Sequence, residues 1–313
     1  TTYNPRNDIA SKATDISKYT NYEKREIRFS GNITFDNHVY IPVGYTVIFD
    51  AGTNINITNN AAFISNSTIL INGTKENPVK IYSSDKSANG FTILQAEELS
   101  VCKYAVFENL NTLNYNSWTL TGAVTFYESD VELHNCTFNN NHCEDMLNTI
   151  RCNFLVKDCL IKNTFGDSHD SDFCTGTLDN CTFINNGNDA IDFSTSDVII
   201  KNCKINRAGD KGISVGENTK AIINNVIIDN VNIGIASKDL SNAQVNNVKI
   251  TNATYGFLLL QKKPEFGAAK ITANNCELHD VWTESLIEKN SILVLNGKTF
   301  KGNKARLKAL FYE

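Results

Sequence analysis

The chain has 313 residues, a net charge of −5 and only four prolines. That length exceeds the usual single globular domain, and the acidic balance gives no electrostatic support to a nucleic-acid role. No apolar run is long enough to span a bilayer, and the abundance of Asn, Ile, Val and Thr favours short strands joined by turns.

The chain begins Thr1-Thr2-Tyr3 without methionine. A mature chain freed of a leader would begin so, and a secreted or cell-surface location is expected. Residues 1–26 are charged and polar, with a weak helical pattern around Ile9 to Tyr22, and are predicted to be an N-terminal cap. From Ile27 the pattern becomes strand-like. Ile33-Thr-Phe35, Val39-Tyr-Ile41, Thr46-Val-Ile-Phe49 and Asn54-Ile-Asn-Ile57 alternate apolar and polar residues between Gly and Asn turns.

From Asn135 a four-residue unit recurs: Asn135-Cys-Thr-Phe138, Asp158-Cys-Leu-Ile161, Asn180-Cys-Thr-Phe183, Asn202-Cys-Lys-Ile205, Asn225-Val-Ile-Ile228, Asn247-Val-Lys-Ile250 and Asn275-Cys-Glu-Leu278. The spacing is about 22 residues, the signature of a stacked repeat. The second and fourth positions should point inward. The first should be a turn Asn that stacks on the Asn above it. Cys136, Cys159, Cys181 and Cys203 then share one inward slot as small apolar residues. Gly212, Gly234 and Gly256 mark a second turn, where positive φ is expected. Residues 261–267 exceed the repeat and are expected to loop out of the wall. The basic tail 301–313 is expected to be a helical C-cap.

The predicted fold is all-β: a single parallel β-helix over residues 27–300, with about 22 residues per coil and roughly a dozen coils. The order of short strands and the turn Gly73-Thr-Lys-Glu-Asn-Pro78 resemble the opening coils of secreted right-handed parallel β-helix proteins, the pectin-lyase-like superfamily. The resemblance covers nearly the whole chain and speaks to fold.

Function is concentrated between Glu144 and Glu217. Asp145, Asp167, Asp189 and Lys211 lie 22 residues apart, and so do Asn148, Asp170, Asp192 and Ser214. In register they form two columns, with Asp172, Arg151 and Glu217 just beyond. Carboxylates about 5 Å apart either raise one another's pKa or take up a cation. The first outcome gives an acid/base pair, and the second an oxygen cage suited to Ca²⁺. The bland alternative is that Asp caps turns through backbone amides.

The run Asp167-Ser-His-Asp170 resembles the Asp-Pro-His-Asp/Glu motif of mannuronan C5-epimerases, with Ser168 in place of proline. Parallel β-helix lyases, similarly, pair an Asp-based Ca²⁺ site with a Lys or Arg base. The expectation placed first is therefore a lyase or epimerase acting on a uronate polysaccharide. Lys211 or His169 would be the base, with Asp170 and Asp192 in the acid cluster. Asp167, Asp189 and Asp172 would hold Ca²⁺. Arg151 would hold the substrate carboxylate, with Asn148, Asp145, Tyr127 and Glu217 also binding substrate. The second expectation is inverting hydrolysis by paired aspartates, although the motif series of polygalacturonases is not found. The third is a non-catalytic surface or coat β-helix. The run Gly209-Asp-Lys-Gly-Ile-Ser-Val-Gly-Glu217 resembles β-helix domains beside spore-coat-type kinase-like domains. A monomer is expected.

Overall fold

The computed structural model describes residues 4–312, so residues 1–3 of the expected cap lie outside the described residues. Contacts divide the chain into two compact units, Thr1–Gly166 and Asp167–Glu313. Both are built of parallel coils of short strands, and among the described residues helix is confined to Pro5–Ser11, a turn at Ser17–Tyr19, and Leu307–Tyr312.

In the first unit, Glu26–Phe29 pairs in parallel with Thr46–Phe49, which pairs with Thr68–Asn72. Inward phenylalanines stack from coil to coil. The rings of Phe63 and Phe91 lie 4.7 Å apart, and those of Phe107 and Phe138 lie 4.9 Å apart. The N-terminal stretch does what an end cap must. Thr20–Asn21 runs antiparallel to Glu26–Phe29, and the Tyr19 ring covers Phe29 at 5.0 Å. The helix Pro5–Ser11 instead docks on the side of the stack, where Ile9 is buried against Ala62, Ile64 and Leu94. Tyr115 and Trp118 clamp it there. Tyr115 Oη donates to Asp8 Oδ2 at 2.6 Å, and Arg6 lies over the Trp118 ring at 5.1 Å.

In the second unit the 22-residue period becomes register. Ile191 stands beside Ile213, Ile235 and Phe257 in successive coils. Asn180, Asn202, Asn225, Asn247 and Asn275 all take positive φ, between 50° and 58°. Their amides form the expected ladder, from Asn225 to Asn202 at 3.3 Å and from Asn247 to Asn225 at 3.2 Å. The expectation for the glycine turn is corrected. Gly212, Gly234 and Gly256 do not have positive φ; they are required by close approach. A Cβ on Gly234 would lie 2.7 Å from Gly256 O. The interior closes over the last coils with the hairpin Ile292–Leu295 and Lys298–Lys301. The helix Leu307–Tyr312 packs sideways on Ile233, Ala236, Leu258 and Leu260.

Candidate functional site

The strand Asp167–Asp172 opens the second unit. Strand alternation sends His169 and Ser171 inward and Asp170 and Asp172 to the surface side, and the burial follows it. His169 therefore stands in register with Ile191, in the apolar column. It is fully buried, its ring 5.5 Å from Phe193. Burial brings its pKa down to about 3. This corrects its expected role as a base, because a neutral core imidazole has no surface to offer a substrate.

The second predicted column is present in this unit. Asp170 stands beside Asp192, and Asp192 beside Ser214. Asp172 stands beside Ser194, and Ser194 beside Gly216. The other column is held by backbone amides. Asp189 N donates to Asp167 Oδ1 at 2.8 Å, and Lys211 N donates to Asp189 Oδ1 at 2.9 Å. The turn-capping role foreseen for these carboxylates is therefore real, and it coexists with a charged wall.

Lysines compensate the wall. Lys211 Nζ lies 3.3 Å from Asp189 Oδ1 and also meets Asp210, with side chains only 4% and 2% exposed for Lys211 and Asp189. Lys238 Nζ lies 3.8 Å from Asp192 Oδ1 and is almost as buried. Lys238 extends the column Asp172, Ser194, Gly216 by one coil. A Cβ on Gly216 would meet Lys238 Cε at 3.4 Å, so the glycine leaves room for that side chain.

The expected outward loop folds back as a roof. Lys262 N and Lys263 N donate to Asp239 Oδ1 at 2.6 and 2.7 Å. Lys263 Nζ reaches Glu217 Oε1 at 2.7 Å, and Ser194 Oγ donates to the other oxygen of Glu217. From the C-terminal helix, Tyr312 places its ring 4.4 Å from Lys262 Nζ and 5.5 Å from Lys211 Nζ.

Proton affinities follow from this crowding. Burial, with Lys211 opposing and Asp192 and Asp167 adding, pushes Asp189 up to about 7. Burial and the charges of Asp192 and Glu217 raise Asp172 as well. Burial pulls Lys211 and Lys238 down, but the facing aspartates, Asp189 and Asp192 respectively, outweigh it and hold both ammoniums above the ordinary lysine value. The two trends agree. Asp167, Asp170, Asp172, Asp189, Asp192, Asp210, Glu217 and Asp239 outnumber Lys211, Lys238, Lys262 and Lys263, so Lys211 and Lys238 hold their protons more tightly and the buried Asp189 gains affinity for one.

Asp167, Asp189 and Asp192 each offer a carboxylate oxygen within 4.8 Å of the others, so this triad could hold a metal ion. It contains Asp192 where the sequence pointed to Asp172. One of its oxygens, Asp192 Oδ1, is buried without a hydrogen bond, as is Ser214 Oγ beside it. An incoming ion would meet competition from Lys211 and Lys238.

The remaining candidates lie in the first unit. Asp145 and Asn148 are buried and bonded to each other, Asn148 Nδ2 donating to Asp145 Oδ2 at 2.9 Å. Arg151 Nη1 donates to Tyr127 Oη at 3.2 Å and lies 3.6 Å from Glu128. Tyr127 is partly buried against the cluster around Ile9 and is not a free stacking face.

Parallel coils with an acid–lysine wall on one face define the second unit as a β-solenoid. The chain belongs to the family described as the right handed beta helix region, whose profile matches residues 146–305, about half of the chain. No curated protein matches it. Among solved structures it is similar to the catalytic domain of a GH87 α-1,3-glucanase in complex with tetrasaccharides (TM-score 0.52, 12% identity, covering 91% of this chain and 67% of that one). Two others are an alginate lyase from Paenibacillus sp. str. FPU-7 (TM-score 0.37, 12% identity, 82% of this chain and 99% of that one) and a periplasmic alginate epimerase (TM-score 0.44, 9% identity, 83% and 85%). At these identities the likeness is one of fold alone.

Lys238 and Asp239 were missed in the sequence although the period contains them, since they lie 22 residues after Gly216 and Glu217. Lys262, Lys263 and Tyr312 left no periodic signal.

Proposed function

We propose that the protein is a carbohydrate-active β-helix whose wall cleaves a glycan by carboxylate acid–base chemistry. The observation that carries this reading is the register of Asp170 with Asp192 beside Asp172, a carboxyl whose proton affinity is raised. In a hydrolysis, Asp172 protonates the leaving glycosidic oxygen. Asp170 or Asp192 takes a proton from the attacking water. Lys238 and Lys263 hold the surrounding carboxylates in place. Hydrolysis stands ahead of the lyase or epimerase because β-elimination needs a base at the C5 proton. Lys211 is buried, protonated and paired with Asp189 and Asp210, and His169 lies in the core. The glucanase likeness is in keeping with a glycan ligand, and an exported location goes with one.

The test is a panel of neutral and uronate glycans, followed by reducing-end and ultraviolet assays. New reducing ends without ultraviolet absorbance support hydrolysis. An unsaturated product would replace it with elimination. No product from any glycan, with Asp172→Asn and Asp192→Asn altering only stability, would leave a non-catalytic wall.

Calcium is a second reading, favoured by the triad of Asp167, Asp189 and Asp192. Its hard oxygen donors suit that ion. Bound there, it would neutralise the wall and offer a Lewis-acidic contact to a sugar oxygen. A fall in Tm with EDTA, reversed by Ca²⁺ and absent in Asp167→Asn, supports it; an unchanged Tm removes it.

A further inference from the structure

A groove in the second unit, with a volume of about 970 Å³, lies beside the wall rather than on it. It follows a corner of the coils where Asn230, Asn252 and Asp280 take positive φ in three successive turns. Its floor is the apolar column Val231, Ala253 and Val281. At its end stands Trp282, 89% exposed, the most exposed large hydrophobic side chain among the described residues.

The strand that floors the groove also touches the site. Asn232 Nδ2 donates to Asp210 Oδ1 at 3.3 Å, and Asp210 meets the Lys211 ammonium. The register carries Asn232 to Thr254 and Thr254 to Trp282, because Val231, Ala253 and Val281 pair on one side and Ile233, Tyr255 and Thr283 on the other. Trp282 is thus three rungs from Asp210, about 14 Å along the solenoid.

We propose that this groove binds a neutral glycan chain lying along the solenoid axis, with Trp282 stacking on a sugar ring away from the wall. A flat aromatic face suits the apolar face of a pyranose, and the groove flanks it with amides of Asn230 and Asn252 and the carboxylates of Asp280 and Glu284. Those groups exchange hydrogen bonds with sugar hydroxyls. No lysine or arginine lines the groove. A uronate chain would bring its carboxylates against Asp280 and Glu284 without a counter-charge, so the groove discriminates against it. The proposal rests on the reading of the wall as a glycan site and extends it to substrate class and direction.

The experiment uses the full chain carrying Asp172→Asn, so that binding is read without turnover. Calorimetry with neutral glucan and mannan oligosaccharides of two to eight units is compared with oligogalacturonate and oligoalginate of the same lengths. The expected result is binding that tightens with length in at least one neutral series, an affinity loss of about tenfold or more in Trp282→Ala, and recovery in Trp282→Phe. Equal binding with and without Trp282, tighter binding of the uronates, or no binding of any probe overturns the proposal. So does dissociation of a dimer by Trp282→Ala in sedimentation, which would assign the face to a second copy of the chain. Trp282-dependent binding by a wild-type protein that cleaves none of the bound glycans would retain the groove and refute the hydrolytic wall. Cleavage without Trp282 dependence does the reverse.

Discussion

Lys211 Nζ lies 3.3 Å from Asp189 Oδ1, and both side chains are almost wholly withdrawn from solvent. Removing one partner of such a pair leaves a charge in a poor dielectric, at a typical cost of roughly 3–5 kcal/mol. Lys211→Met should destabilise the second unit by that order at pH 8. At pH 5 the loss should be smaller, because Asp189 is able to take up a proton and become neutral. Thermal unfolding at the two pH values checks this; an equal loss at both would mean Asp189 does not titrate with the pair.

Asp189 by itself gives the wild-type protein a pH dependence. Its folded pKa, up to about 7, stands above the unfolded carboxylate value of 3.8. The folded state therefore binds the extra proton, and stability is lost as pH rises from about 4 to about 7. A shift of this size corresponds to at most roughly 4 kcal/mol. Asp189→Asn should flatten the fall in Tm between pH 5 and pH 8. An equal fall in the variant would show that the carboxyl is already ionised at pH 5.

Asp172 is predicted to matter for turnover more than for folding. Asp172→Asn should lower kcat by about 10²–10⁴, the usual worth of a positioned general acid. Its Tm should hold or rise, because burial and the charges of Asp192 and Glu217 disfavour the ionised form that Asn replaces. The wild-type rate should fall as pH passes the raised pKa of Asp172, and the corresponding limb should vanish in the variant. A profile unchanged in shape would take the acid role away from Asp172.

Gly234 tests the packing of the coils. Its Cβ would meet Gly256 O at 2.7 Å and the Ile250 side chain at 2.6 Å. The isoleucine could turn aside, but the backbone carbonyl could not. Gly234→Ala should therefore cost about 2–3 kcal/mol, toward the upper end for overpacking. Gly297→Ala is the control, since nothing lies within 4 Å of its Cβ. Its positive φ of 82° makes a smaller, purely backbone cost expected there. Chemical denaturation distinguishes the two; equal losses would mean the corner is loose.

Much of the site was legible in the period. Asp170, Asp192 and Ser214 are 22 residues apart, and the structure pairs them. The same arithmetic contained the fate of His169, since Ile191 and Ile213 are the residues 22 and 44 positions on. A residue in register with isoleucines faces the core, and reading the motif as a four-residue string hid that. Lys238 was likewise in the column of Asp172 and Ser194, one coil further than the acidic run drew the eye.

By itself the sequence determined the coil, its period, the Asn ladder and which carboxylates share a column. These follow because a stacked solenoid turns sequence separation into spatial position. The tertiary structure alone decided how that wall is compensated. Lys263 reaches Glu217 from a segment outside the repeat, and Tyr312 covers Lys211 and Lys262 from a helix docked on the coils' side. Neither contact obeys the period. Where such segments come to rest depends on packing against the finished surface of Ile233, Ala236, Leu258 and Leu260, which exists only once the coils have stacked.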